Sequence, residues 1–281
     1  MATAAAPWRD AFTSDLESMK SPTFTLSSLH RASSPSSPQT PQFLPRARTV
    51  VYRGMWASLQ PNSKNKNPAP LNPSHTYETD LPTCTTDVRM EKVGEMLDSQ
   101  GTGRSSSGGG KASASASASS RVGGPIEAVF WVPDRMTQWR LRGHVCMVGP
   151  DIDSDRDVSV REHLAPYMRP VRGNVASWSW SRELTAHFGN LSPLMRGSFR
   201  NPPPGTPLSS PAGCFDGLGL GQEVDDLDDD VARKNFRVLI IVPAEVDKVD
   251  LSDAKKGRRW NYLLERTVGG DEVWKVTELW P

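Results

Sequence analysis

Four basic side chains fall on two short segments that together could hold a phosphate group. Arg48 and Arg53 bracket a β-branched and aromatic run that predicts a strand. Arg89 and Lys92 are three residues apart on a helix predicted to begin at Asp87, so both side chains would emerge on nearly one face. Because a phosphate dianion needs several convergent donors, ideally guanidinium groups, these four side chains predict a phosphate clamp.

Backbone donors are predicted beside these cations. A helix that begins at Asp87 would place the N–H groups of residues 86–88 at its positive end, where an anion is stabilised. Taken singly, each of these charged residues is more often a solvated surface group than a ligand. The prediction therefore depends on the order and combination of several segments.

Four segments occur in an order that resembles the pyridoxamine 5'-phosphate oxidase-like, FMN-binding split-barrel family. They are RTVVYRG (48–54), TTDVRMEK (85–92), QWRLRG (138–143) and WKVTELWP (274–281). In that family an R-x-V-L-L-K strand and a T-N-x-x-S-R-K turn hold FMN, and a Gln on a later strand touches the flavin ring. The resemblance implies these FMN ligands in the present chain: Arg48, Arg53, Thr85, Thr86, Arg89, Lys92, Gln138 and Arg140.

The cofactor motifs depart from the family pattern at a few positions. Glu91 stands where the prototype has Arg, and the guanidinium of Arg89, two residues earlier, could replace the missing one. That arrangement recurs in a divergent subgroup with a T-D-x-R-S-x-K motif, although Met90 replaces its Ser. The closing segment retains Trp274 of the family's W-K-x-x-R-L-x-P and has Glu278 in place of its Arg.

The substrate-binding positions match the family less closely. Arg259 matches the family's substrate-gripping Arg, but Asn261 takes the place of its His. Tyr167 and Arg169 fit loosely the Tyr, Arg and Ser cluster that binds the substrate phosphate, and Gly173 stands at the Ser position. The resemblance implies a small-molecule substrate such as a pyridoxamine or pyridoxine 5'-phosphate.

Composition and periodicity predict one mainly β domain over residues 8–281, a β-barrel with flanking helices. Strand patterns are many, helical patterns are few, and no β-α-β rhythm appears, which favours a closed antiparallel barrel. A short helix over 8–20 and a mostly helical region over 159–200 are expected. The 22 glycines and 24 prolines concentrate in polar stretches, so flexible insertions are predicted at about 31–45, 57–81, 99–124 and 206–234.

Several functional classes have little support in the sequence. The net charge of +1 argues against a nucleic-acid surface, and no apolar stretch is long enough to span a membrane. The three cysteines are far apart, which favours reduced thiols and a cytoplasmic protein. The histidines are scattered without metal-ligand spacing, and no nucleophile motif is present, so neither a metal site nor a catalytic residue is predicted.

Three functional hypotheses follow. The first is an FMN-dependent oxidoreductase that resembles pyridoxamine 5'-phosphate oxidase and, like the family, forms a homodimer with FMN at the subunit interface. The second is a flavin-binding module without that oxidase activity, used for sensing, storage or another reductase reaction. The third is a barrel that has lost FMN, which the retained cations Arg48, Arg53, Arg89 and Lys92 argue against.

Overall fold

The computed structural model describes residues 5–32, 42–62, 65, 69–99, 121–171, 175–210, 217–267 and 269–281. The strands in these ranges are β1 (Thr23–Ala32), β2 (Gln42–Val51), β3 (Tyr77–Glu78), β4 (Thr83–Asp87), β5 (Val122–Val132), β6 (Thr137–Val148), β7 (Arg169–Pro170), β8 (Phe236–Asp250), β9 (Arg258–Arg266) and β10 (Glu272–Leu279). The α-helices are α1 (Arg9–Glu17), α2 (Glu91–Asp98), α3 (Val158–Leu164), α4 (Trp180–Gly189), α5 (Pro193–Gly197) and α6 (Asp230–Asn235). Most of the predicted insertion at 99–124 and part of that at 31–45 lie outside the described residues.

Six strands form an antiparallel ring. β1 pairs with β2 and with β5, and the path continues from β5 through β6 and β8 to β4. The ring closes just beyond β2, where Met55 bridges Pro82 and the Arg53 N–H donates to the Thr83 carbonyl at 2.9 Å. β9 and β10 extend the sheet from the second half of β8. The predicted mainly β, antiparallel architecture with flanking helices is confirmed.

Aromatic side chains fill the inside of the ring. Phe12 of α1 meets Phe130 of β5 and Trp139 of β6 at ring-centroid distances of 5.0 and 5.5 Å, edge to face. Phe24 of β1 stacks on Phe130 at 4.5 Å. These large rings bury extensive apolar area in favourable geometries, so the predicted N-terminal helix has a defined place against the barrel core.

A second apolar core lies on the outer face of β6 and β8. Cys146 of β6 and Ile240 of β8 pair directly and are buried there. Val160 and Leu164 of α3 and Phe188 of α4 belong to the same cluster. The helical region expected over 159–200 therefore covers this face of the sheet. Among the described residues no helix has the length and apolarity needed to cross a bilayer.

A β-bulge in β8 determines which side chains lie on the outer face of the second half of this strand. Arg142 pairs with Glu245 while the next residue, Gly143, pairs with Pro243, so β8 carries one extra residue. One extra residue in a strand moves each later side chain of that strand to the opposite face of the sheet. Gly143 is required here because a Cβ atom would lie 2.0 Å from the Val242 carbonyl oxygen. Beyond the bulge Glu245 lies on the same outer face as Arg142.

Arg48 lies within β2, and Arg53 lies just beyond its end at Val51. Residues 236–250 form one 15-residue strand, β8, which continues through the bulge. The segment 57–81 is not simply a flexible loop: it contains β3 and the buried Asp80, which accepts hydrogen bonds from the Ala6 N–H and from Arg169.

Candidate cofactor site

A cleft of about 550 Å³ lies beside the closure of the ring, between β2, β4 and the segment that follows α5. Four predicted ligands line it: Arg53, Thr85, Thr86 and Lys92. The opposite wall is largely apolar and includes Met195, Phe199 and Pro202–Pro204. A volume of several hundred Å³ with few convergent polar groups is typical of small-molecule and cofactor sites.

Within the described part of the chain, the two cations of the cleft have no carboxylate partner. Among the described residues, no carboxylate oxygen lies within 4 Å of the Arg53 guanidinium or of Lys92 Nζ. Arg53 Nε is buried without a hydrogen-bond partner, and Lys92 Nζ lies 2.7 Å from the weak acceptor Met90 Sδ. Burial lowers the pKa of both Arg53 and Lys92. Since a buried cation is costly without an anion, this pair fits an anionic ligand.

A buried thiol lies beneath this pair of cations. Cys84 of β4 is fully buried, and burial raises its pKa to about 12, against the smaller opposite effect of Lys92 and Arg53. A thiol with so high a pKa is neutral at physiological pH and is a poor nucleophile. It therefore adds no negative charge to the cleft.

The other two predicted cations are ion-paired within the fold and do not line the cleft. Arg48 of β2 donates to Ser28 Oγ at 2.6 Å and is paired with Glu95 of α2. Arg89 forms a two-pronged pair with Asp87, with Nε–Oδ1 and Nη2–Oδ2 distances of 2.9 and 2.6 Å. Both guanidinium groups therefore hold the cleft's framework in place.

The prediction that a helix begins at Asp87 was wrong. Asp87 is the last residue of β4, and α2 begins at Glu91, after a turn. The Asp87 carboxylate accepts the Arg89 N–H at 2.8 Å, which stabilises the turn instead of a helix start. Arg89 is therefore outside the helix, and the N–H groups of residues 86–88 are not at a helix N-terminus.

Three further predicted residues, Gln138, Arg140 and Arg259, lie together on the outer face of β6, β8 and β9. Arg140 of β6 and Arg259 of β9 both contact the buried Asp247 of β8, at 3.1 Å each. Burial opposes ionisation of Asp247, but the hydrogen bond and charge of Arg259, with the charges of Arg140 and Arg142, outweigh it and lower its pKa. We call Gln138, Arg140, Asp247, Arg259 and Asn261 the outer patch. None of them lines the cleft of this chain.

Tyr167 and Arg169 lie neither in the cleft nor in the outer patch. Arg169 pairs in a two-pronged manner with Asp80, at 2.7 and 2.8 Å, which ties β7 to the segment before β4. Tyr167 packs at the edge of the second core, and burial raises its pKa to about 12. Gly173 lies outside the described residues. The structure thus places both side chains in internal packing.

Sequence reasoning missed several residues of the site. Asn201 lines the cleft, and its Oδ1 atom is buried without a hydrogen-bond partner among the described residues. Met195 and Phe199 form the apolar wall. Met195 lies in the short helix α5 and the other two residues follow it, far along the chain from β2 and β4, and no motif marks them. Asp247, which contacts two arginines of the outer patch, was likewise not predicted, because no motif marks it.

The family of this chain is shown by a match over residues 5–149 to the model of the pyridoxamine 5'-phosphate oxidase, FMN-binding domain. This is just over half of the 281 residues, and the chain belongs to that family. The uncharacterized protein YGR017W of Saccharomyces cerevisiae is 31% identical over 104 residues, 36% of this chain and 34% of that protein. The chain thus matches about a third of the length of this curated relative.

A solved structure shares the fold. It is a pyridoxamine 5'-phosphate oxidase-related, FMN binding protein from Nostoc punctiforme, with a TM-score of 0.56 and 20% sequence identity. The similarity covers 99% of this chain and 100% of that one. It therefore includes the helices and strands beyond residue 149 as well as the region that the family model matches.

Proposed function

We propose that this chain binds FMN in the cleft, with Arg53 and Lys92 at the phosphate, and uses it as an oxidoreductase. The observation that carries the proposal is a pair of partly buried cations that have no carboxylate partner among the described residues, in a cleft lined by both threonines of the TTDVRMEK segment. A phosphate dianion would supply the acceptor that Arg53 Nε lacks and would offer Lys92 Nζ a stronger acceptor than Met90 Sδ.

The other residues of the cleft suit the rest of the cofactor. Thr85 and Thr86 add hydroxyl donors beside the cations, and Asn201 Oδ1 is an acceptor suited to a hydroxyl or N–H group. The apolar wall at Phe199 and Pro202 would exclude water from a bound flavin. When bound, FMN supplies the electron-transfer chemistry, so the protein needs no nucleophile of its own. In this proposal Arg48 and Arg89 are positioning residues that fix β2, α2 and the turn between β4 and α2.

We further propose that the protein is a homodimer in which the outer patch of one copy faces the cleft of the other. The two halves of the predicted site do not meet within one chain, and the family resemblance implies FMN at a subunit interface. Exposed apolar side chains flank the patch: Leu263, Val273 and Leu279 are 37, 43 and 39% exposed. The unpaired thiols Cys84 and Cys146 support a reducing compartment such as the cytoplasm.

The flavin proposal is tested first by the visible spectrum of the purified protein and by an FMN titration of the flavin-free fraction. Lys92→Met and Arg53→Met should each weaken FMN binding by roughly 10- to 150-fold, since each removes a charge-assisted hydrogen bond worth about 1.5–3 kcal/mol. Lys255→Met, at an exposed loop lysine, is the matched control and should bind like the parent. Absence of flavin bands and of FMN uptake would refute the proposal.

The second candidate, a flavin-binding module without pyridoxamine 5'-phosphate oxidase activity, is favoured by one observation. Asn261, at the position of the family's substrate-binding His, donates to Glu245 at 2.9 Å, and Arg259 is held by Asp247. Both substrate-binding positions are thus engaged within the sheet. Turnover of pyridoxamine 5'-phosphate, followed as hydrogen peroxide release by flavin-loaded protein, separates the two candidates: steady release supports the oxidase, and flavin binding without release supports the module.

A further inference from the structure

A third group of polar side chains lies between β6 and α3, among residues that neither the cleft nor the outer patch uses. His144 Nε2 of β6 and His163 Nε2 of α3 are 2.6 Å apart. The ligand atoms of His144, His163 and Cys146 all lie within 4.8 Å of one another. His144 and Cys146 are two residues apart on one strand, so they share its outer face, against which α3 packs. Three residues that are separated in the sequence therefore meet at one point.

The donor atoms of these side chains suit a metal ion. Each imidazole ring offers a nitrogen lone pair, and imidazole nitrogen is a common metal ligand. No carboxylate lies within 4 Å of either ring among the described residues. The donor set, two nitrogens and one sulfur, matches borderline-soft transition metals and not Mg²⁺ or Ca²⁺.

We propose that His144, Cys146 and His163 form a binding site for one Zn²⁺ ion that joins α3 to β6. Two imidazole nitrogens bound to tetrahedral zinc at about 2.0–2.1 Å would lie roughly 3.3 Å apart, so the rings need to separate by about 0.7 Å. His163 is only partly buried at the end of α3, so this shift does not require a fully buried ring to move. Three protein ligands leave the fourth position for water on the exposed side of His163.

Binding of zinc changes the proton balance of the site. Zinc takes the place of the proton between the two Nε2 atoms, and that proton moves to the Nδ1 atom of the same ring. Zinc also displaces the proton of the Cys146 thiol, which passes to solvent, so one proton is released for each ion bound. The groups that face the site are Glu272 of β10 and Tyr167, which follows α3. Their presence places one carboxylate near the positive charge of a zinc–thiolate pair.

Equilibrium dialysis against Zn²⁺, after chelator treatment of the full-length protein, measures the number of ions bound. We expect one zinc ion per chain, with affinity reduced at least about tenfold in both Cys146→Ala and His163→Ala. Cys84→Ala removes another fully buried thiol and should bind zinc like the parent. Co²⁺ in place of Zn²⁺ should give a thiolate-to-cobalt charge-transfer band in the parent difference spectrum, with the flavin contribution subtracted, and no such band in Cys146→Ala.

If Cys146→Ala fails to fold, thermal unfolding of the parent and of His163→Ala at several zinc concentrations tests the site instead. The unfolding midpoint of the parent should rise with zinc concentration, because zinc binds the folded state, and that of His163→Ala should not. His30→Ala, at a more exposed histidine of β1, is the matched control and should respond like the parent. Binding of less than one zinc ion per chain, or equal binding by parent and His163→Ala, would overturn the proposal. Neither result depends on whether the cleft binds FMN.

Discussion

Gln138 and Arg259 lie in one cross-strand row on the outer face of the sheet, separated only by Val249 of β8. The next row contains Arg140, Asp247 and Asn261 in the same register. Residues from two distant motifs thus form one patch because three adjacent strands are aligned. The patch is absent from the lining of this chain's own cleft, so in the proposed homodimer the second copy would supply it.

The first prediction concerns that second copy. Leu263→Glu and Val273→Glu place a charge on the exposed apolar positions of β9 and β10, and burying it in an interface would be costly. We expect both variants to be monomers by light scattering coupled to size exclusion, and to retain less FMN than the parent. Val171→Glu changes an exposed valine outside the patch and should behave as the parent does. A parent that is itself monomeric yet binds FMN tightly would contradict the homodimer proposal.

A second prediction concerns the centre of the outer patch. Asp247→Asn removes the negative charge that Arg140 and Arg259 both contact, so the free energy of unfolding should fall by about 1.5–3 kcal/mol. The folded-state pKa of Asp247 is lowered, so its contribution is fully present above the unfolded value of about 3.9. It is lost as the pH falls through the lower folded value.

Urea unfolding of both proteins at several pH values checks this prediction. The difference between parent and Asp247→Asn should be constant from about pH 5 to 8 and should shrink below about pH 4. Asp98→Asn, at the exposed end of α2, provides the control and should leave the unfolding free energy unchanged. A difference that persists unchanged at pH 3 would show that shape and not charge accounts for the loss.

The third prediction concerns the pH dependence of FMN binding. The second proton of a phosphate monoester dissociates at about pH 6, so affinity should rise as the pH passes through that value. Burial lowers the pKa of Lys92, so its positive charge should be lost at a lower pH than that of an ordinary lysine. Affinity should then decline in the alkaline range, and this decline should be absent from Lys92→Met.

Fluorescence titrations with FMN and with riboflavin separate the phosphate from the ring. Riboflavin has no phosphate, so its affinity should lack the rise near pH 6 and should respond little to Lys92→Met. Equal pH profiles for the two ligands would place the phosphate away from Arg53 and Lys92. Such a result would leave flavin binding itself intact and would refute only the assignment of these cations.

Alternation along the strands made much of the fold predictable. Trp139 and Leu141 of β6 point into the core while Gln138 and Arg140 point outward, as their order in the sequence indicates. The bulge at Ala244 was not predictable, because it depends on the close approach of Gly143 to another strand. The start of α2 was misjudged for a related reason: Asp87 is held in a ladder opposite Phe236, which no local pattern indicates.

The site was predictable only where a short motif marks its residues. Arg53 lies in one motif and Thr85, Thr86 and Lys92 lie in another, and all four line one cleft. The ion pairs of Arg48 with Glu95 and of Arg89 with Asp87 required knowledge of which charges meet in space. The same limit applies to His144 and His163, which are in contact although they lie on a strand and a separate helix.

The last prediction distinguishes a structural role of Arg48, as the partner of Glu95, from a direct contact with the FMN phosphate. Arg48→Ala leaves the buried Glu95 carboxylate without its guanidinium partner, so unfolding free energy should fall by about 1.5–3 kcal/mol. Because Arg48 does not line the cleft, FMN affinity should fall less in Arg48→Ala than in Lys92→Met. Glu95→Gln, which releases the guanidinium and keeps the side chain's size, is the informative partner variant. If Arg48 only holds β2 and α2 in place, both variants should lower the free energy of unfolding and change FMN affinity to the same extent. If Arg48 contacts the phosphate directly, FMN affinity should fall in Arg48→Ala and should be preserved or increased in Glu95→Gln.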